Sequence, residues 1–186
     1  MRQVERTPLG IWAGELSPEV CDRIIEEGKL LAQQIATINK DNNIDSKFRD
    51  GKVAWFNKGS WVDRLLSYYA NETNNKEWGF NLNNREQPQF TTYNENDFYT
   101  WHRDSDIESD IQRKLSVTVQ LSDINTYSGG DFKLKTCWGN KDVDLSTVKK
   151  RGSIFIFPSF LLHEVTPVSQ GTRYSLVQWY SGPPFT

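Results

Sequence analysis

The stretch Leu115-Ser116-Val117-Thr118-Val119-Gln120-Leu121 alternates strictly between apolar and polar residues. On an extended chain, side chains two apart share a side, so this run predicts a strand with one apolar face. Comparable runs lie on both sides of it. Downstream, Phe132 to Lys135 follows the Gly129-Gly130 turn, and Ile154 to Phe157 forms a near-continuous apolar strand that ends at Pro158. Glu164 to Val168 and Arg173 to Tyr180 flank a Gln170-Gly171 turn. Upstream, Gln89 to Tyr93 is rich in Thr and aromatics, and Trp78, Phe80 and Leu82 alternate, so both segments are expected to be strands.

Before residue 78 the period is helical. Ser17-Pro18-Glu19 combines a hydroxyl N-cap, a first-turn proline and an acid at the positive end of the helix dipole. Val20, Ile24, Ile25, Leu31, Ile35 and Ile38 follow at helical spacing, which predicts a buried face to about residue 38. The polar stretch Asn39 to Gly51 reads as loop. Ser60-Trp61-Val62-Asp63 resembles a capping box and opens a second helix through Leu65, Leu66 and Tyr69. Two helices followed by many short strands give a mainly β fold: a jelly roll, or double-stranded β-helix, with supporting N-terminal α-helices on one face. At 186 residues, with no repeat or linker, the chain is expected to be a single domain. Residues 1–80 would be the helical support region and 81–186 the jelly-roll core.

Composition narrows the function classes. Lys plus Arg number 22 and Asp plus Glu number 24, so there is no basic excess of the kind that general nucleic-acid binding requires. Cys21 and Cys137 cannot build a disulfide framework and lack zinc-site spacing, which favours a reducing compartment. The N-terminal residues show no apolar signal core, and the longest apolar stretch, Ser153 to Leu162, is broken by Pro158. A soluble, cytoplasmic protein without membrane attachment is expected. Aromatic residues reach 13%, with seven Trp, a content that suits a β-rich core with a concave site.

Only two histidines occur, His102 and His163. His102 and Asp104 stand two apart just past a strand, so their side chains can converge on one ion. His163 follows the apolar strand and the Pro158-Ser159 turn. Two imidazoles and one carboxylate leave open positions on a metal, the arrangement that selects non-haem Fe(II) for oxygen chemistry. Ten residues beyond His163, Arg173 and Ser175 share one strand face, where a guanidinium and a hydroxyl can hold a carboxylate. A ligand that chelates at one end and is anionic at the other suits such a pocket, and 2-oxoglutarate is one.

The stretch from about Gln89 to Pro184 resembles the prolyl and lysyl hydroxylase type of 2-oxoglutarate/Fe(II) oxygenases, especially their small microbial members. The resemblance rests on an ordered set: Tyr93, His102-Arg103-Asp104, Arg113-Lys114-Leu115-Ser116, Gly129-Gly130-Asp131, Gly152-Ser153, Pro158-Ser159, His163 to Val168 and Gly171 to Ser175. It implies iron ligation by His102, Asp104 and His163. It implies further that Arg173 pairs with the distal carboxylate of 2-oxoglutarate, Tyr93 bonds that same group and Ser175 assists. Gln120 stands where relatives often carry a tyrosine that contacts the co-substrate, a departure that leaves this contact open. The implied reaction consumes O2 and 2-oxoglutarate, releases succinate and CO2 and hydroxylates a C–H bond, with ascorbate as a candidate reductant for oxidised iron.

A protein or peptide substrate, proline first, follows from the resemblance, and Phe98, Tyr127 and Trp138 are candidates to pack it. A free amino acid or other small metabolite is the alternative, and a non-catalytic jelly-roll binding module is the rival from another class. Trp179 shares strand parity with Arg173 and lines either the pocket or the core. The loops Ser105 to Gln112 and Ser122 to Ser128 flank the expected mouth.

Overall fold

The computed structural model describes residues 9–36, 48–105, 111–135 and 149–185. In chain order the strands are β1 (Gly10–Trp12), β2 (Gln34–Ile35), β3 (Lys52–Trp55), β4 (Asn84–Arg85), β5 (Gln89–Tyr93), β6 (Tyr99–His102), β7 (Gln112–Gln120), β8 (Tyr127–Gly129), β9 (Phe132–Leu134), β10 (Ile154–Pro158), β11 (His163–Val165), β12 (Val168–Gly171) and β13 (Arg173–Gly182). Helix α1 spans Pro18–Leu30 and helix α2 spans Trp61–Glu77. The major sheet runs β1-β10-β7-β13-β5-β3-β2, with β4 also on β13; a second sheet is β6-β11-β9, and β12 pairs with β8. All pairings are antiparallel.

The alternation in β7 sorts the molecule into layers. Leu115, Val117, Val119 and Leu121 turn to one side with Ile154, Ile156 and Leu176, and there they bury against Ile24 and Ile25 of α1 and Val62, Leu66 and Ala70 of α2. The opposite side of the same strands faces the second sheet across a cavity. Ser116, Thr118 and Gln120 point there and are buried as well. The polar positions of this strand therefore mark a lined interior rather than solvent.

Both helix starts follow the expected chemistry. The Ser17 hydroxyl accepts from Val20 N–H with Pro18 opening α1, and the Ser60 hydroxyl accepts from Asp63 N–H at the start of α2. Asp63 does not close a capping box on Ser60. Its carboxylate accepts instead from Gly59 N–H at 2.7 Å and from Arg85 and Gln178.

Three local expectations differ. Helix α1 ends at Leu30 rather than near residue 38: Leu30 is 88% exposed, and Leu31 leaves in an extended conformation. Its buried face stops at Gly28, where a Cβ would lie 2.6 Å from the Phe90 ring, and Ile35 belongs to β2. Ile38 lies outside the described residues. Trp78, Phe80 and Leu82 form no strand; Trp78 caps α2, and its ring stacks on Phe80 at 6.0 Å. Lastly, the first eighty residues contribute strands as well as helices, since β1 borders β10 and β3 borders β5. Such short segments give too few alternations to announce themselves.

Candidate metal and co-substrate site

Strands β6 and β11 pair so that His163 lies directly opposite His102. Residues in that relation share a face, and the two imidazole centroids are 4.1 Å apart. Each Nδ1 sits against a carbonyl oxygen two residues back, Thr100 O at 2.7 Å for His102 and Leu161 O at 3.0 Å for His163. A carbonyl only accepts, so Nδ1 carries the proton in both rings and each Nε2 keeps its lone pair free. Both lone pairs face Asp104: His102 Nε2 lies 3.5 Å from Oδ1 and His163 Nε2 lies 3.4 Å from Oδ2.

Asp104 is itself held. Its N–H and that of Ser105 donate to Ser159 O, which anchors the turn after β6. Ser116 on β7 donates to Asp104 Oδ2 at 2.6 Å, and the Ser159 hydroxyl lies 2.9 Å behind Ser116. The ligand atoms of the three residues fall within 4.8 Å of one another. Burial opposes ionisation of Asp104, yet the His163 and His102 rings in their charged form, together with the Ser116 hydroxyl, outweigh it and hold the carboxyl well below the usual carboxylate range, a place that a bound cation takes when the rings are neutral. Burial pushes the His163 imidazole down to about 4, against the pull of Asp104. Two oriented nitrogen donors and an ionised oxygen donor, each braced by a second hydrogen bond, form a set that can hold a divalent transition metal.

The other end of the same face is cationic. Arg173, at the start of β13, is 4% exposed and lies opposite Tyr93 of β5 in register. Its guanidinium is 5.6 Å from the Tyr93 ring centre, and Nη1 donates to Ser175 Oγ at 3.4 Å. Its Nε has no partner, and among the described residues Arg173 joins no ion pair. A buried cation without an anion is costly, so this position fits an anionic ligand. The three potential metal ligands, Arg173, Tyr93 and Ser175 line one cavity of about 460 Å³. A neighbouring cavity of about 320 Å³, lined by Gln120, Tyr127 and Lys149 among others, shares Thr118, Phe132 and Arg173 with it.

Comparison with known proteins agrees with this geometry. The model of the 2OG-Fe(II) oxygenase superfamily matches residues 88–181, half of the chain. The chain belongs to the 2OG-Fe(II) oxygenase superfamily. Among curated relatives, a PKHD-type hydroxylase of Shewanella oneidensis is 34% identical over 96 residues, which are 50% of this chain and 41% of that protein. The matched stretch thus spans well under half the length of that relative. Solved structures with the same fold include a Pseudomonas putida prolyl-4-hydroxylase, at TM-score 0.69 and 20% identity over 94% of this chain and 93% of that one. Another is a Trichoplax adhaerens prolyl hydroxylase in complex with a hypoxia inducible factor peptide fragment, at TM-score 0.72 and 20% identity over 93% of this chain and 83% of that one. These likenesses establish the double-stranded β-helix.

Within this superfamily member, all seven site residues expected from the sequence fall inside the matched segment, and they do not gather equally. His102, Asp104, His163, Tyr93, Arg173 and Ser175 share the larger cavity, whereas Gln120 lines the neighbouring one. Gln120 also spends its amide N–H groups on Ser122 O and Tyr127 Oη, at 3.0 and 2.9 Å. Tyr127 is buried beside it rather than at a mouth, and Trp138 lies outside the described residues, as does most of the acidic loop between Ser105 and Gln112. Trp179 lines the larger cavity.

Five further residues contribute to the site in roles that the sequence did not assign them. Tyr99 stacks on His102 with ring centres 3.4 Å apart, and the buried Arg49 lies over Tyr99 at 4.5 Å. Ser116 and Ser159 steady Asp104 from β7 and the turn after β10. Gly130 has a site role beyond its turn: at φ 58°, a Cβ there would sit 2.9 Å from Arg173 Cδ, so only glycine lets that side chain pass.

Proposed function

We propose that the chain is a 2-oxoglutarate- and Fe(II)-dependent hydroxylase in which His102, Asp104 and His163 hold the iron and Arg173, Tyr93 and Ser175 hold the distal carboxylate of 2-oxoglutarate. The observation that carries this reading is the unpaired buried guanidinium of Arg173 in the same cavity as the three ligand side chains. A metal site alone would suit many chemistries. A metal site that shares a cavity with a buried cation lacking an anionic partner suits a chelating dianion.

When bound, iron with 2-oxoglutarate supplies the oxidant: O2 is divided between succinate, formed with loss of CO2, and a substrate C–H bond that becomes C–OH. The chain supplies position. Thr100 O and Leu161 O fix the tautomers, so both Nε2 atoms are presented without rearrangement. Ser116 holds the Asp104 carboxylate in one orientation. Arg173 neutralises the far carboxylate in a buried setting, where charge pairing is stronger than in water. Phe157 and Phe132 pack against His163 at 4.9 and 5.7 Å and limit water around it. Gln120 acts indirectly, by holding Tyr127.

Proteins or peptides are the proposed substrates, prolyl side chains first, on the strength of the prolyl hydroxylases that share the fold. A free amino acid is the second reading, because fold and motif do not fix the substrate. The whole chain acts as a single domain. No described helix is long and apolar enough to cross a membrane. The test is succinate release from purified protein given Fe(II), 2-oxoglutarate and O2. Turnover that needs all three supports the reading; none at full iron occupancy, with or without ascorbate, contradicts it and favours a binding module.

A further inference from the structure

Tyr127 on β8 is buried and lines the neighbouring cavity together with Gln120, Gly130 and Arg173. The Gln120 amide decides what the Tyr127 hydroxyl can do. Gln120 Nε2 lies 3.0 Å from Ser122 O and 2.9 Å from Tyr127 Oη. A carbonyl oxygen has no proton to give, so the NH2 group has to face Ser122 O and the amide cannot be turned over. The second amide N–H then reaches Tyr127 Oη, which is the acceptor in that bond. The hydroxyl keeps its own hydrogen for another partner, and among the described residues none accepts it.

Strand pairing brings this hydroxyl to Arg173. Tyr127 lies opposite Gly171 in register, two residues before Arg173, and Gln120 lies opposite Ser175, two residues after it. Gly130 stands between the two side chains: a Cβ there would sit 2.9 Å from Arg173 Cδ and 3.5 Å from Tyr127 Cε2. The phenol ring and the arginine therefore flank the same glycine. Lys149, the other cation on this cavity, is paired with Asp131 at 2.5 Å, whereas Arg173 Nε has no partner. Arg173 borders both cavities, so a carboxylate at its guanidinium stands at their junction.

We infer that Tyr127 is a further co-substrate residue, whose hydroxyl donates to the distal carboxylate paired with Arg173, and that Gln120 is the positioning residue that keeps this hydrogen turned toward the anion. This inference rests on the hydroxylase reading and adds to it a residue that it does not use. A hydroxyl that already accepts an N–H bond is polarised and donates more strongly, and a charged acceptor strengthens the bond again. Gln120 itself does not touch the co-substrate. Its amide occupies the phenol oxygen as a donor, so the phenol hydrogen cannot be given back to residue 120.

Calorimetry on the Zn(II)-loaded full chain tests this without turnover. Two ligands are compared: 2-oxoglutarate, and 2-oxovalerate, which keeps the keto-acid head and ends in a methyl group in place of the far carboxylate. Tyr127→Phe removes only the hydroxyl. It should weaken 2-oxoglutarate about tenfold, the loss expected for a hydrogen bond to a charged group, and leave 2-oxovalerate unchanged. Equal loss for both ligands would mark a packing role, and no loss for either an idle hydroxyl; each result overturns the proposal. Gln120→Met removes the amide at similar size and should weaken 2-oxoglutarate about threefold, with no further loss when it is combined with Tyr127→Phe. Additive losses contradict the positioning role. Should the wild type bind both ligands alike, the hydroxylase reading itself falls, because nothing would then grip the far carboxylate. A wild type that prefers 2-oxoglutarate, beside a Tyr127→Phe protein that keeps the whole preference, defeats Tyr127 alone.

Discussion

The two faces of the major sheet are equally buried and entirely different. Toward the helices, Leu115, Val117, Val119 and Leu176 make an apolar layer. Toward the second sheet, Ser116, Thr118, Gln120, Arg173 and Ser175 carry hydroxyls, an amide and a charge. One face supplies cohesion, and its cost of failure is unfolding. The other gives up apolar contact to hold polar groups in fixed places, and its cost of failure is lost chemistry. Because strand residues alternate, each strand serves both ends with no residue shared between them.

The division is broken most strongly at the metal ligands. His163→Ala removes one of three ligands, and metal-dependent succinate release should fall by more than about a thousandfold while the fold persists, as circular dichroism and thermal melts would register. Loss of folded structure in that variant would erase the distinction between the faces. On the helix side, Leu176→Ala opens a cavity in the apolar layer and should cost about 2–5 kcal/mol in urea unfolding. What metal affinity remains in its folded fraction should be close to wild type. A smaller effect tests the support behind the ligands. Ser116→Ala leaves Asp104 Oδ2 without its donor and should weaken metal binding by about 10- to 100-fold, with little change in melting temperature.

The least drastic test concerns the polar exception on the helix side. Asp63 is fully buried there, and its carboxyl is lowered to about 2: burial raises it, but Arg85, the Gly59 N–H and Gln178 together prevail. A group lowered in the folded state stabilises it above its unfolded value, near 4, and loses that contribution as pH falls toward 2. Between those values wild type should lose roughly 2 kcal/mol more than Asp63→Asn, read from urea melts across pH. Parallel curves would mean that the network carries no net pH dependence.

How much of this was legible follows from the same alternation. The β7 and β13 periods were plain, so the layering and the shared face of Arg173 and Ser175 could be read directly. The pair of histidines was legible because the chain has only two. The alternation at Trp78, Phe80 and Leu82 misled because a helix end and its following turn also space aromatic rings two apart. Apolar spacing continues past Leu30 although the surface that the helix covers ends at Phe90, so the periodicity overstates the helix. Arg49 was out of reach, since its approach to Tyr99 depends on strand pairing and no local pattern encodes that. Gly130 read as a turn residue because its second duty, clearance for Arg173, appears only in three dimensions.

The central claim is that one cavity joins three metal ligands to the buried guanidinium of Arg173 so as to hold one keto-diacid. Anaerobic calorimetry of 2-oxoglutarate into the Fe(II)-loaded protein, the metal-free protein and Arg173→Ala measures it directly. The account predicts binding that weakens by about a hundredfold without either the metal or the guanidinium, with iron still bound in the Arg173→Ala protein. Equal affinity in all three would contradict it, because the metal and the arginine would then not be gripping opposite ends of the same molecule.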